Sequence, residues 1–285
     1  MSDSPQRILA QKQMQIVRSE VTFCYICGQP LPEKGSGYKQ NVIGEHIVPR
    51  SLLGDPPTSE TERWAVVLDV HRRCEADDKK FTDNLLNLLQ QMSTKPFDEW
   101  PKFGHLRSNL RLRPIEFQFS GGEKLPAFTN VQHVFAGSWT WVRGLHCALY
   151  LTPLADNVPH FVLPPVPACF ITKPLSLGEI EKLSGSVRYL LDLADKHDKW
   201  DGIVAWGGKV VYRCVWHRIE PGHKISGWAC YWTLTFPGTA EWSRSILGTG
   251  SERPWHGYYV LDEPPQGASR LSSDDFPQKP KTETP

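Results

Sequence analysis

Residues 23–52 read FCYICGQPLPEKGSGYKQNVIGEHIVPRSL, and residues 71–74, further along, read HRRC. Cys24 and Cys27 stand at a spacing that lets a tight turn aim both sulfurs at one ion, and His71 and Cys74 repeat it. Two such pairs supply four soft or borderline ligands, which closes a tetrahedron around a structural zinc and leaves no open position. Two other assignments compete: inert buried thiols, and a thioredoxin-like redox pair. The redox motif needs a helix directly after its second cysteine. Here the segment GQPLP, residues 28–32, follows and breaks one.

Between the two pairs, Glu45 and His46 lie near the end of a strand predicted over 42–48 and stopped by Pro49. Adjacent strand residues face opposite sides. The two therefore share one task only if the pleat breaks, and Gly44 before them and Pro49 after them predict a break. A carboxylate suits a hard divalent cation, and an imidazole titrating near neutrality suits proton transfer from water. The plainer alternative is a surface acid beside a packing histidine.

Taken in order, CYIC, GEHIVPRSLLG and LDVHRRCEADDKKF resemble an HNH endonuclease of the cysteine-knuckled, zinc-stabilised kind, with its ββα-metal fold, over residues 21 to 92. The resemblance implies that His46 is the general base and that Glu45 holds the catalytic cation. Glu75 stands where that family usually has histidine or asparagine as the other metal ligand, and Asp78, one helical turn on, shares or replaces that role. A donor set of carboxylates favours Mg²⁺ or Mn²⁺ over a second zinc. The asparagine expected in the middle motif is missing from RWAVVLDV, residues 63–70. Arg50, Arg72, Arg73, Lys79 and Lys80 surround the site as candidate nucleic-acid contacts, extended by His105, Arg107, Arg111 and Arg113. Such contacts fix register on a phosphate backbone without reading sequence.

The whole chain sets bounds on this reading. Its formal net charge of +1 over 285 residues means that a polyanion partner is met by a local patch, not by the overall field. Eleven tryptophans and twenty-four prolines predict short strands and many turns. Seven cysteines, an odd number in a chain of this length, point to a reducing compartment rather than a disulfide scaffold. No secretory signal and no membrane span are expected, which makes the predicted location cytoplasmic.

The expected class is α+β. A lead helix over 1–20 precedes an HNH ββα-metal domain with structural zinc over 21–95. A basic linker over 96–125, a C-terminal α/β accessory domain over 126–262 and a disordered tail over 263–285 follow. His146, in an apolar helix, is expected to be a core histidine, and Trp206, Trp216, Trp228 and Trp232 are expected to be core. The expected activity is metal-dependent hydrolysis of phosphodiester bonds in DNA, with RNA the other nucleic-acid candidate. The alternative is a catalytically inactive zinc module that binds nucleic acid or a protein partner.

Overall fold

The computed structural model describes residues 8–10, 17–53, 66–79, 82, 113–118, 124–129, 132–163, 177–220, 226–236 and 254–277. Helices and sheets are both present, as the α+β class requires. The first hairpin pairs β2 (Val42–His46) with β3 (Val67–His71), and α1 follows at once over 72–79. A second hairpin pairs β4 (Arg113–Gln118) with β5 (Lys124–Thr129). It lies partly in the stretch expected to be a basic linker. Alternation across its two strands overrides the loop reading that prolines and charges encourage.

The largest element is a seven-stranded sheet. Its strands run β1 (Ile8–Ala10), β7 (Asp201–Ala205), β8 (Val210–Arg218), β9 (Trp228–Thr235), β10 (Trp255–Leu261) and β6 (His160–Leu163), with β11 (Arg270–Leu271) also on β8. The VVYRCVWHR and WACYWTLT segments pair antiparallel from Val211↔Thr235 to Arg218↔Trp228. Alternation sorts their side chains to two faces. Tyr212, Cys214, Trp216, Cys230, Trp232 and Leu234 join the core beneath α2 (Gln132–Tyr150), while Val215 and Tyr231 pack under α3 (Leu177–Lys196). The α3 contacts Val187, Leu190, Leu191 and Ala194 fall at i, i+3, i+4 and i+7, one stripe of an amphipathic helix.

The lead helix expected over 1–20 is not what forms at Ile8–Ala10. Those residues are a strand parallel to β7, because an apolar sheet edge offers hydrogen bonds that a short isolated helix cannot match. A helical turn does occur at 17–20. The tail expected to be disordered over 263–285 is ordered over 263–277, and its other residues lie outside the described ones. Asp201, fully buried, accepts bonds from the Ser269 amide at 2.7 Å, the Ser269 hydroxyl at 2.7 Å and the Tyr150 hydroxyl at 2.8 Å. Leu271 is buried beside Val215, and Lys199 Nζ meets Asp275 at 2.9 Å. Two Ser269 donors on one buried carboxylate, itself steadied by Tyr150, hold the tail in place despite its polar composition.

Helix α2 is buried on every side from residue 137 to residue 150. One face meets the sheet: His146 Nδ1 lies 2.6 Å from the Tyr259 hydroxyl, and Tyr150 bonds Asp201. The other face, at residues 140, 143, 144 and 147, meets the cysteine-bearing segment. Thr140 donates to Asp78, Arg143 donates to the Ile26 carbonyl, and Gly144 packs under Ile47. A Cβ at Gly144 would stand 2.8 Å from Ile47 carbons, so its hydrogen side chain is what permits this approach. No helix among the described residues is long and apolar enough to cross a membrane.

Candidate functional site

The first knuckle is built by a chain reversal. Phe23 and Pro30 form an antiparallel bridge, the Cys24 amide donates to Gln29 O at 2.9 Å, and the Gly28 amide donates to Cys24 O at 2.7 Å. Gly28 closes the turn at φ +72°, a conformation that glycine adopts without a Cβ clash. The second knuckle follows from the junction of β3 and α1: His71 ends the strand, and Cys74 comes one turn into the helix. Extended chain, not helix, follows Cys27, and the described cysteines are all free thiols. The redox arrangement therefore lacks its helix.

The ligand atoms of Cys24, Cys27, His71 and Cys74 all lie within 4.8 Å of one another. His71 Nδ1 is 3.4 Å from Cys27 Sγ and 3.9 Å from Cys74 Sγ. Zinc bond lengths of ~2.3 Å to sulfur and ~2.0–2.1 Å to nitrogen give tetrahedral edges of ~3.5–3.8 Å, so the four groups suit that ion. The other ring nitrogen, Nε2, faces the Pro30 carbonyl at 3.2 Å. A carbonyl can only accept, so Nε2 carries the proton and Nδ1 keeps its lone pair for a metal. Burial raises the pKa of Cys24 even though backbone amides of His71, Cys27 and Ile26 bond its sulfur. Burial, followed by crowding from the Cys24 and Cys27 thiols, pushes Cys74 up to about 12. A bound dication supplies the charge that lets these thiols ionise.

Arg143, which sequence reading passed over, locks the knuckle to α2. It is 4% exposed. Its guanidinium donates to Ile26 O at 2.7 Å and Leu154 O at 2.8 Å, and pairs with Asp156 at 3.0 Å. Ile26 sits between the two cysteines, so Arg143 steadies the ligand turn from behind. The available signal was a single charged residue inside an otherwise apolar helix.

The candidate catalytic residues are distributed less compactly. The β2–β3 ladder runs without interruption from Val42↔His71 to His46↔Val67, so the pleat break predicted at Gly44 is absent. Gly44 instead accommodates the Arg18 side chain lying across it. Glu45 and His46 consequently face opposite sides of the hairpin. Glu45 shares the inner face with Leu68, and its charge adds to the burial that raises the Tyr25 pKa. His46 is half-buried on the outer face. Burial first, then the charges of Arg50 and Arg18, hold its pKa below 6.5.

Asp78 turns toward α2, where its carboxylate accepts from Thr140 at 2.8 Å and Thr82 at 3.0 Å. Burial is the leading cause of its raised pKa, outweighing those bonds. Among the described residues the Cys24–Cys27–His71–Cys74 group is the only set of three or more acidic, thiol or imidazole ligands at metal-holding spacing. Glu45, Glu75 and Asp78 do not assemble one; the docking of Asp78 onto α2 is the physical reason for its part.

Arg50, Arg72, Arg73 and Lys79 are exposed, and Lys80 lies outside the described residues, as do His105, Arg107 and Arg111. Arg72 donates twice to Lys39 O, at 2.9 and 3.2 Å. Arg72 and Arg73 line an open cleft of about 580 Å³ with Pro30, Leu31, Gln40 and Asn41. His146 is a core residue, its Nε2 3.3 Å from Thr152 Oγ1 and its pKa lowered to about 3 by burial. Trp206, Trp216 and Trp232 are buried as expected, and Trp228 is half-buried beneath the Arg270 guanidinium. Compared with known protein families, with curated proteins and with solved structures, the chain finds no match.

Proposed function

We propose that this chain is a metal-dependent endonuclease that hydrolyses phosphodiester bonds, with DNA as its substrate. The observation that carries this reading is the four-ligand cluster joining the first knuckle to the β3–α1 junction, with His46 half-exposed at the end of the same hairpin. In this mechanism His46 accepts a proton from the attacking water, and its lowered pKa keeps the imidazole neutral for that task. Glu75 would hold a divalent cation, whose chemistry is to stabilise the leaving alkoxide; Glu45, on the opposite face of the hairpin from His46, would not share that step. Arg50, Arg73 and Lys79 remain at the surface for backbone phosphates. Nicking of supercoiled plasmid in Mg²⁺ or Mn²⁺ tests the reading. His46→Ala should lower the rate by about 10²- to 10⁴-fold with zinc content unchanged. Equal rates would remove His46 from the mechanism.

One observation favours a second reading, a zinc module that binds without cleaving: the Asp78 carboxylate is already occupied by Thr140 and Thr82. That reading predicts retention of a labelled duplex with no metal-dependent nicking by the unaltered protein.

A further inference from the structure

The outer face of the β2–β3 hairpin carries a second arrangement that the zinc cluster and the acid–histidine pair do not account for. Asp69, paired across the hairpin with Gly44, is a buried carboxylate in an apolar strand, its side chain 10% exposed. Arg18 donates to its Oδ1 from Nε at 2.8 Å and from Nη2 at 2.5 Å, and the Tyr38 hydroxyl donates to Oδ2 at 2.7 Å. The guanidinium lies flat on the strand. A Cβ at Gly44 would stand 2.5 Å from Nη2, so any larger residue there would displace it. Glycine inside a strand gives up packing and backbone order, and such a position often marks a close approach. His46 is two residues along on the same face, near enough for the Arg18 charge to act on it.

An ordinary surface ion pair has two mobile, solvated partners and contributes little. This pair differs in that its acid is buried and fixed by Tyr38 as well. Arg18 nevertheless remains 40% exposed, and Nη1 has no bond to any described residue. The result is a preoriented cationic fork beside the candidate base, with Arg50 as a second cation nearby. Planar guanidinium edges match phosphate oxygens in a way that a lysine ammonium does not.

We propose that Arg18 is a substrate-contacting residue that holds the phosphodiester beside His46, with Asp69 and Tyr38 as its positioning residues. This rests on the endonuclease reading. The test measures kcat and KM for plasmid nicking in Mn²⁺, together with the Kd for a short fluorescein-labelled duplex at low salt. Arg18→Ala should lower kcat/KM by about 10- to 100-fold, the loss of a hydrogen bond to a charged group. Arg18→Lys should fall between it and the unaltered protein, and millimolar guanidinium should restore part of the activity of Arg18→Ala. Asp69→Asn should raise KM more than it lowers kcat, with zinc still bound. The inference is overturned if Arg18→Ala nicks normally while His46→Ala is inactive, because the endonuclease reading then stands without it. It is equally overturned if activity falls together with melting temperature and guanidinium restores none, which marks a structural role. If the unaltered protein nicks nothing, the endonuclease reading fails and duplex affinity decides for Arg18: a Kd weakened about tenfold by Arg18→Ala retains the contact, and an unchanged Kd removes it.

Discussion

Around Cys24 the chain brings three thiols and an imidazole within 4.8 Å of one another, whereas around Trp216 it packs Tyr150, His146 and Tyr259 edge to face in a fully buried aromatic layer. The two regions are stabilised differently. The described residues of 22–79 form a two-stranded hairpin, a single bridge and short helices. Units of that size are marginal on burial alone, so a bound ion or a larger neighbour adds much of their stability. The seven-stranded sheet, covered on both faces by helices, needs no ion. Helix α2 serves both regions, one face against the sheet and the other against the knuckle through Thr140, Arg143 and Gly144.

Metal removal tests this difference most strongly. Purified protein should carry about one zinc per chain, and structural zinc contributes about 10 kcal/mol or more to small domains. Chelation, or Cys74→Ser, should abolish amide-exchange protection over 67–79 while leaving β8 and β9 protected. A folded protein with no zinc, or equal loss of protection in both regions, would break the contrast.

Acidification gives the next largest effect and acts on the sheet side. His146 stays neutral in the fold down to about 3, against 6.5 when free. The unfolded chain therefore binds a proton that the folded one refuses. Stability falls as pH drops below 6.5, by about 1.4 kcal/mol per unit until pH approaches 3. His146→Gln should flatten that slope in urea unfolding followed by tryptophan fluorescence. An unchanged slope would remove His146 as the source of the acid sensitivity, leaving the other groups whose pKa the fold lowers, His160, His217 and Asp275 among them.

The smallest effect lies at the seam. Gly144→Ala should destabilise by about 1–3 kcal/mol through overpacking against Ile47. Ile47→Ala in the same chain should recover part of that loss in a double-mutant cycle. Strict additivity would mean that the two regions are not coupled through this contact.

Local chemistry made part of this legible in advance. The Cys-x-x-Cys and His-x-x-Cys spacings located all four ligands, because each pair is placed by a single turn. The helix around 132–150, the helix over 177–196 and the paired strands of 210–218 and 228–235 follow from apolar periodicity. Ile8–Ala10 and Arg270–Leu271 were not legible, because as strands they depend on a sheet edge assembled from distant residues. Arg143 and Asp69 were also missed. Each is a lone charge in an apolar element, and its partners, Ile26 and Leu154 for one, Arg18 and Tyr38 for the other, are remote in the chain.

What the sequence determined by itself is the ligand set and the periodic elements, since both depend on bonds made within a turn or on side chains repeating along one face. Which face of the hairpin each acid and base occupies, and whether carboxylates meet around an ion or dock on a neighbouring helix, was decided only in the tertiary structure. A strand's two faces are equivalent until something packs against one of them. Here α2 packs against the knuckle side, leaving Glu45 on the inner face beside Leu68 and His46 on the outer face with Arg18.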